Sequence, residues 1–146
     1  MVKVYISSVI DAPADKVWAH IRDFNALPKW VPAVADSRIE GGIVSDKVGC
    51  VRNFNLKDGG NLREQLLALS DHDRSLTYNI LASPMGVQNY VATLKLTRVT
   101  DGDRTFAEWT AEFDCEAARE QELVADIGNG VFQAAFDNLK QQLGRR

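Results

Sequence analysis

The chain has 146 residues, of which 45% are hydrophobic and 25% charged, a balance typical of a soluble globular protein with a sizeable core. We expect a single domain that spans residues 1–146. The formal net charge is -3 and the basic residues are scattered, so neither nucleic acid nor an anionic membrane is an expected partner.

The first elements predicted along the chain are a strand and two short helices. Residues 2–10 alternate in polarity and contain Val, Tyr and Ile, which favour a half-buried strand. Pro13 then breaks the strand and suits the start of an amphipathic helix over residues 14–21. Residues 23–31 predict a second helical turn, whose length two prolines limit. The two helices form a short pair.

A period of two predicts strands through the middle of the chain, with Gly-, Asp- and Ser-rich turns between them. Because the connections are short, we expect neighbouring strands to be antiparallel. The six predicted strands are residues 34–40, 50–56, 61–69, 75–81, 88–99 and 105–114.

Residues 117–143 contain no proline and are rich in Ala, Glu, Gln and Leu, which predicts one long helix. At 1.5 Å per residue it would reach roughly 40 Å, enough to cross a whole sheet. The sequence Gly128-Asn129-Gly130 conflicts with this prediction, because Asn-Gly favours a turn. These residues indicate room beside the helix, a kink, or tight packing of the helix on the sheet.

Two opposite charges, Arg52 and Glu64, each fall on a strand face whose other members are apolar. In one strand that face holds Cys50, Arg52, Phe54 and Leu56, and in the next it holds Leu62, Glu64, Leu66 and Ala68. Buried charges are normally paired or lie beside a wet cavity. We therefore predict a polar spot in an apolar chamber. The alternatives are a structural ion pair without a ligand and a register slip that exposes both side chains.

The same face of the later strands combines aromatic, hydroxyl-bearing and small side chains. The sets are Leu76, Tyr78 and Ile80; Gln88, Tyr90, Ala92 and Leu94; and Ala107, Trp109, Ala111 and Phe113. Small alanines leave volume and the hydroxyls need partners, which favours a pocket, although each aromatic alone is consistent with core packing. The candidate ligand-binding residues are Arg52, Phe54, Glu64, Tyr78, Tyr90, Trp109, Phe113, Ile127 and Val131, and Glu64 is the candidate catalytic residue.

Metal and cofactor sites lack a sequence signature. Cys50 and Cys115 are expected to be small buried side chains, and His20 and His72 are far apart, so we expect no metal ion. No glycine pair stands in the strand-turn-helix context of a phosphate or dinucleotide loop, so we expect no cofactor.

The sequence predicts a cytoplasmic location without stable membrane association. No apolar run approaches the roughly 20 residues that a membrane-spanning helix needs. Residues 2–10 alternate like a strand and do not form the basic and apolar blocks of a signal peptide.

The order of strand, two short helices, six strands and long helix resembles the START/SRPBCC superfamily over the entire chain. This superfamily includes birch-pollen-type allergens, bacterial polyketide cyclase/dehydrase-like proteins and plant abscisic acid receptors. The motifs that carry the resemblance are residues 10–18, 30–32, 49–52, 64–66, 76–78 and 109–113.

The resemblance implies the α+β helix-grip fold, in which a curved seven-stranded antiparallel sheet wraps around the long C-terminal helix and leaves a cavity. In the abscisic acid receptors, the Glu and Tyr that match Glu64 and Tyr90 belong to the polar ligand network. Two receptor loops gate the pocket, and residues 56–61 and 83–87 would correspond to them. Both loops differ in sequence from the receptor loops, so hormone sensing and phosphatase inhibition do not transfer.

Two functions fit this sequence. The first is the binding or transport of a small hydrophobic molecule, lipid or polyketide-like, oriented by Arg52, Glu64, Tyr78 and Tyr90. The second is a polyketide cyclase, aromatase or dehydrase with Glu64 as general acid or base. A neighbouring Arg opposes the raised carboxyl pKa that this chemistry needs, which favours binding.

Overall fold

Seven antiparallel strands form one open sheet in the computed structural model, which describes residues 1–145. The strands are β1 (Val2–Ile10), β2 (Val34–Ile39), β3 (Val51–Leu56), β4 (Asn61–Ser70), β5 (Ser75–Ala82), β6 (Gln88–Val99) and β7 (Arg104–Asp114). Their order in the sheet is β1-β7-β6-β5-β4-β3-β2. Each strand from β2 onward pairs with the next strand in the sequence, and β7 also pairs with β1. The edges of the open sheet are therefore β1 and β2.

Two short helices, α1 (Ala14–Ile21) and α2 (Leu27–Trp30), connect the two edge strands β1 and β2. The extended backbone of Pro13 starts α1, and its carbonyl accepts the first helical hydrogen bonds. Both helices bury their apolar sides against the rest of the molecule. The predicted helical pair is confirmed.

The inner face of the sheet is apolar and the outer face is polar, as the alternation predicts. On β7 the side chains of Ala107, Trp109, Ala111 and Phe113 are buried, while those between them are partly or fully exposed. This arrangement leaves one face of the sheet for the core and one for solvent.

A bulge in β4 corrects one predicted face assignment. The pairing of β4 with β5 shifts between Leu66 and Ala68, which adds a residue to β4 and reverses the alternation beyond it. Ala68 is therefore exposed and does not share the buried face of Glu64 and Leu66. Gln88 is exposed as well, before a register shift in β6.

The C-terminal helix follows a 3-10 turn (Ala117–Arg119) and consists of α3 (Glu120–Ile127), a π-helical segment (Gly128–Gln133) and α4 (Ala134–Leu143). The predicted long helix is confirmed, and its conflicting Gly128-Asn129-Gly130 sequence lies in the π-helical segment. A Cβ atom at Gly128 would lie 3.4 Å from Cγ1 of Val4, so close packing on β1 explains this glycine. A Cβ atom at Gly130 would have no neighbour within 4 Å.

The predicted α+β helix-grip fold is confirmed by this topology. Strand ends differ from the predicted ones by one residue, as at Ser70 and Ala82. The inner face of the sheet, α2 and the C-terminal helix surround the core, and a cavity lies among them.

Candidate ligand-binding cavity

A mainly apolar cavity of about 70 Å³ lies between the inner face of the sheet, the α2 region and the C-terminal helix. Ligand pockets usually occupy roughly 300–1,000 Å³, so this cavity is small for a ligand of ordinary size.

Arg52 and Glu64 form a buried ion pair in the cavity wall. They are direct partners in the pairing of β3 with β4, which brings both side chains to the inner face at the same level. Nε and Nη2 of Arg52 lie 2.8 and 2.6 Å from Oε1 of Glu64. The exposed fractions of these side chains are 4% and 6%, so the alternative that both face solvent is wrong. The ion pair exists, and both of its members line the cavity.

Aromatic rings cover the Arg52 guanidinium. Its central carbon lies 3.9 Å from the ring centre of Phe24, 4.7 Å from that of Tyr78 and 5.7 Å from that of Phe54. Nη1 also donates a hydrogen bond to the Phe24 carbonyl oxygen at 3.2 Å. Cation–π attraction and this bond hold the guanidinium in place while Glu64 balances its charge.

Burial raises the pKa of the Glu64 carboxyl, while the charge and hydrogen bonds of Arg52 act in the opposite direction. An arginine keeps its proton at neutral pH, so a protonated Glu64 would leave a buried cation without a partner. The short contacts of Oε1 with two guanidinium nitrogens are those of a carboxylate.

Two buried tyrosines extend the polar region of the cavity. The indole Nε1 of Trp109 donates a hydrogen bond to the Tyr78 hydroxyl at 3.1 Å. Burial raises the pKa of Tyr78 and of Tyr90 above the ordinary range, and the negative charge of Glu64 acts in the same direction. Both phenols therefore keep their protons, and the two hydroxyl groups also interact with one another.

The C-terminal helix closes the cavity through its π-helical segment. The ring of Phe132 stacks on that of Trp109 with centroids 4.1 Å apart and planes inclined by 8°. In a π-helix, residues i and i+5 lie on the same side, so Ile127 and Phe132 both reach the cavity, together with Val131.

The structure brings together eight of the nine candidate ligand-binding residues. Those that line the cavity are Arg52, Phe54, Glu64, Tyr78, Tyr90, Trp109, Ile127 and Val131. Phe113 does not line it. Its ring is fully buried behind Tyr90, with the two centroids 5.7 Å apart.

Sequence reasoning missed cavity residues that come from outside the strands. Leu27 and Val31 reach the cavity from α2 and the residue after it, Met85 reaches it from a loop, and Phe132 from the π-helical segment. The apolar residues of the second short helix were a usable signal for Leu27. The position of Phe132 depends on a π-helical turn that an α-helical period does not predict.

The lid loop, residues 83–87, covers one side of the cavity. Met85 is part of the cavity wall, and its carbonyl oxygen accepts a hydrogen bond from Nη1 of Arg119, which lies just before α3. A Cβ atom at Gly60 would lie 3.5 Å from Cγ of Pro84, so the lid loop lies close to the turn between β3 and β4. Arg119 thus connects the lid loop to the 3-10 turn that precedes the C-terminal helix.

Residues 1–145 form neither a membrane-spanning helix nor a cluster of metal-ligand side chains. No helix within that range is long and apolar enough to cross a membrane. Its His, Cys, Asp and Glu side chains form no group of three or more that could hold a metal ion.

A family model described as polyketide cyclase/dehydrase and lipid transport matches residues 1–144. The abscisic acid receptor PYL7 of Arabidopsis thaliana is 30% identical to the chain over 88 residues, which cover 58% of this chain and 40% of the receptor. The chain therefore matches less than half of the receptor's length.

Solved structures with the same fold cover nearly the whole chain. The XoxI protein of Bacillus cereus has a TM-score of 0.87 at 28% identity, and the match covers 98% of this chain and 96% of the XoxI chain. A Thermobifida fusca protein has a TM-score of 0.87 at 30% identity, and the match covers 97% of this chain and 93% of that protein's chain. The major latex-like protein 151 of Panax ginseng has a TM-score of 0.79 at 14% identity, with 98% and 97% covered, and supports the fold alone. The family match over residues 1–144, together with these folds, confirms the START/SRPBCC resemblance.

Proposed function

Because the chain belongs to the polyketide cyclase/dehydrase and lipid transport family, we propose that it binds a small, mainly hydrophobic molecule in its cavity. The observation that carries this proposal is the buried pair of Arg52 and Glu64 in the wall of an otherwise apolar cavity. Replacing a buried ion pair with apolar residues of similar volume is often neutral or stabilising, so fold stability alone is a weak reason for the pair. Orienting a ligand is a stronger one.

The layout of the cavity supports a ligand with an apolar body and one polar group. Leu62, Ile80, Trp109, Ile127 and Val131 are among the residues that supply the apolar walls. The polar region gathers the ion pair and the hydroxyl groups of both tyrosines. Burial of the apolar body would supply binding free energy, and the polar groups would fix its orientation.

A ligand of ordinary size needs the cavity to widen. Met85 is the wall residue that the lid loop supplies, and this loop includes Gly86 with a positive φ of 76°. We propose that the lid loop moves outward when Arg119 releases the Met85 carbonyl. The similarity to PYL7, an abscisic acid receptor, supports ligand binding by this chain.

Native mass spectrometry of the freshly purified protein tests this proposal, with denaturing identification of any released molecule. We expect a co-purifying apolar compound that Val131→Phe loses, because the added ring would fill the cavity. The matched control is Val124→Phe, since Val124 lies on the same helix outside the cavity and is half-buried like Val131. Equal retention of the compound by both variants would place its binding elsewhere.

A second candidate function is a cyclase or dehydrase reaction with Glu64 as general acid or base. The observation in its favour is the burial that raises the pKa of this carboxyl. Arg52 opposes that shift and holds Oε1, so proton transfer would have to use Oε2. Turnover of the bound compound, lost in Glu64→Gln while binding persists, would support the enzyme. A compound that is released unchanged would support the carrier.

A further inference from the structure

The charges in the cavity wall are balanced, and this balance restricts the chemistry of the ligand. Arg52 and Glu64 are the charged side chains among the cavity-lining residues that the structure describes within residues 1–145. They neutralise one another at 2.6–2.8 Å. A carboxylate ligand would therefore add a second anion to a buried site that holds one cation, and unpaired buried charge is strongly unfavourable.

The guanidinium has little capacity left for an anionic ligand. The rings of Phe24 and Tyr78 lie 3.9 and 4.7 Å from its central carbon. Its Nε and Nη2 are directed to Glu64, and its Nη1 donates to the Phe24 carbonyl. Three of its five N–H groups thus have partners, and an anion bound to the other two would have to share this single cation with Glu64.

The Glu64 carboxylate, in contrast, still has an oxygen atom that can accept a hydrogen bond. Both contacts from Arg52 go to Oε1 of Glu64, and no hydrogen bond of the described residues reaches Oε2. A carboxylate can accept several hydrogen bonds, so Oε2 is available to a donor in the cavity. The hydroxyl of Tyr78 already accepts from Trp109, which leaves its proton for an acceptor.

We propose that the cavity selects neutral molecules that carry a hydroxyl group, such as phenols and alcohols, over carboxylic acids of the same skeleton. A hydroxyl can donate to Oε2 of Glu64 and accept from a tyrosine hydroxyl at the same time, and it adds no charge. This inference rests on the binding function proposed above and specifies the class of ligand.

The test compares three naphthalene probes near neutral pH: 2-naphthol, 2-methoxynaphthalene and 2-naphthoate. All three share one ring system. The naphthol is a neutral hydrogen-bond donor and acceptor, the methoxy compound is a neutral acceptor, and the naphthoate is an anion. Binding is followed by NMR at the indole N–H of Trp109, which bonds to Tyr78 in the cavity. The indole N–H of Trp18, which donates to Asp71 outside the cavity at 2.7 Å, is the internal reference.

We expect 2-naphthol to bind at least tenfold more tightly than 2-naphthoate and severalfold more tightly than 2-methoxynaphthalene. Equal or tighter binding of 2-naphthoate with a shift at Trp109 would overturn the inference and leave the binding function standing. Equal binding of the methoxy probe would overturn the role of the hydroxyl donor. The absence of a Trp109 shift with all three probes would count against the binding function and the inference together.

Glu64→Gln gives a second, independent result. It removes the charge that balances Arg52, so 2-naphthoate should gain at least tenfold in affinity relative to 2-naphthol. The matched control is Glu112→Gln, which makes the same charge change at an exposed position of β7. An unchanged preference in Glu64→Gln, in a variant that folds as shown by its NMR spectrum, would contradict the charge argument.

Discussion

Arg52 and Glu64 connect the sequence pattern, the packing of the cavity wall and the proposed function. Their strand register brings them opposite one another, the rings of Phe24 and Tyr78 cover the guanidinium, and burial raises the pKa of the carboxyl. The pair is costly to bury and therefore sensitive to the loss of either member. We propose that it is also the part of the cavity wall that distinguishes one ligand class from another.

Removing one member of the pair should destabilise the protein more than removing both. We expect Arg52→Met to lower the free energy of unfolding by about 3–5 kcal/mol, because it leaves a buried carboxylate without a partner. Adding Glu64→Gln to that variant should restore a large part of the loss, since the orphaned charge is gone. Urea unfolding of the wild type, both single variants and the double variant measures the coupling. Additive effects of the two changes would contradict a coupled pair.

Glu40 provides a prediction for the pH dependence of stability. Hydrogen bonds from Arg63 and Asn53 lower the pKa of this carboxyl from 4.5 to about 2. A depressed pKa in the folded state contributes stability that is present above the unfolded pKa and is lost as the pH falls through the folded one. Wild type should therefore exceed Glu40→Gln in stability above about pH 4.5, and the difference should vanish toward pH 2.

Thermal unfolding of both proteins between pH 2 and 6 measures this convergence. Glu112→Gln, at an exposed position on β7, is the control for the loss of one acidic group. A constant difference between wild type and Glu40→Gln across this range would show that the lowered carboxyl pKa does not support the fold.

At the scale of elements, the proposed opening of the cavity involves the lid loop and the start of the C-terminal helix. Arg119, just before α3, joins them through the Met85 carbonyl. Gly86 has a positive φ, and a Cβ atom there would lie 2.6 Å from Nη1 of Arg119. A side chain at this position would both strain the backbone and displace the arginine.

Arg119→Gln and Gly86→Ala should therefore accelerate ligand exchange, by about tenfold if a hydrogen bond with a charged donor is lost. Stopped-flow measurement of 2-naphthol association and dissociation follows this change. Arg98→Gln is the matched control, because Arg98 pairs with Asp103 at an exposed site away from the lid loop. Exchange rates that match the wild type in both lid variants would contradict the proposed movement.

The glycines of the π-helical segment should respond oppositely to substitution. Gly130→Ala should raise the free energy of unfolding by up to about 1 kcal/mol, because the space beside it is open and alanine favours helical backbone. Gly128→Val should lower it, because the added atoms would meet Val4 and Ile6 on β1. Urea unfolding of both variants measures these effects, and a loss of stability in Gly130→Ala would contradict the packing described here.

Alternation and turn residues predict nearly all elements of this fold. The period of two on β3 and β4 places Arg52 and Glu64 on the inner face, and the composition of residues 117–143 predicts the long helix. Ala68 is misassigned because a bulge adds one residue to β4, which alternation cannot reveal. An α-helical period also does not reveal that Phe132 reaches the cavity, because this position depends on a local i+5 turn of the helix.

At the scale of the whole molecule, the sheet and the C-terminal helix enclose an apolar space that holds one balanced ion pair. The sequence predicts eight of its 17 wall residues as ligand-binding candidates, and these lie on strands or on the C-terminal helix. Its volume could not be predicted, because the approach of the helix to β1 at Gly128 and the position of Met85 both arise from tertiary packing. The small cavity makes opening part of any binding function.

Thermal unfolding of wild type and Val131→Phe in the presence of neutral lipid and polyketide-like compounds tests the central claim most directly. A ligand at 100 times its Kd stabilises the folded state by about 2.7 kcal/mol, which is readily measured as a rise in Tm. We predict that at least one hydroxyl-bearing compound raises the Tm of wild type and of the Val124→Phe control, and leaves that of Val131→Phe unchanged. An equal rise in all three proteins, or no rise with any compound, would contradict a ligand-binding cavity.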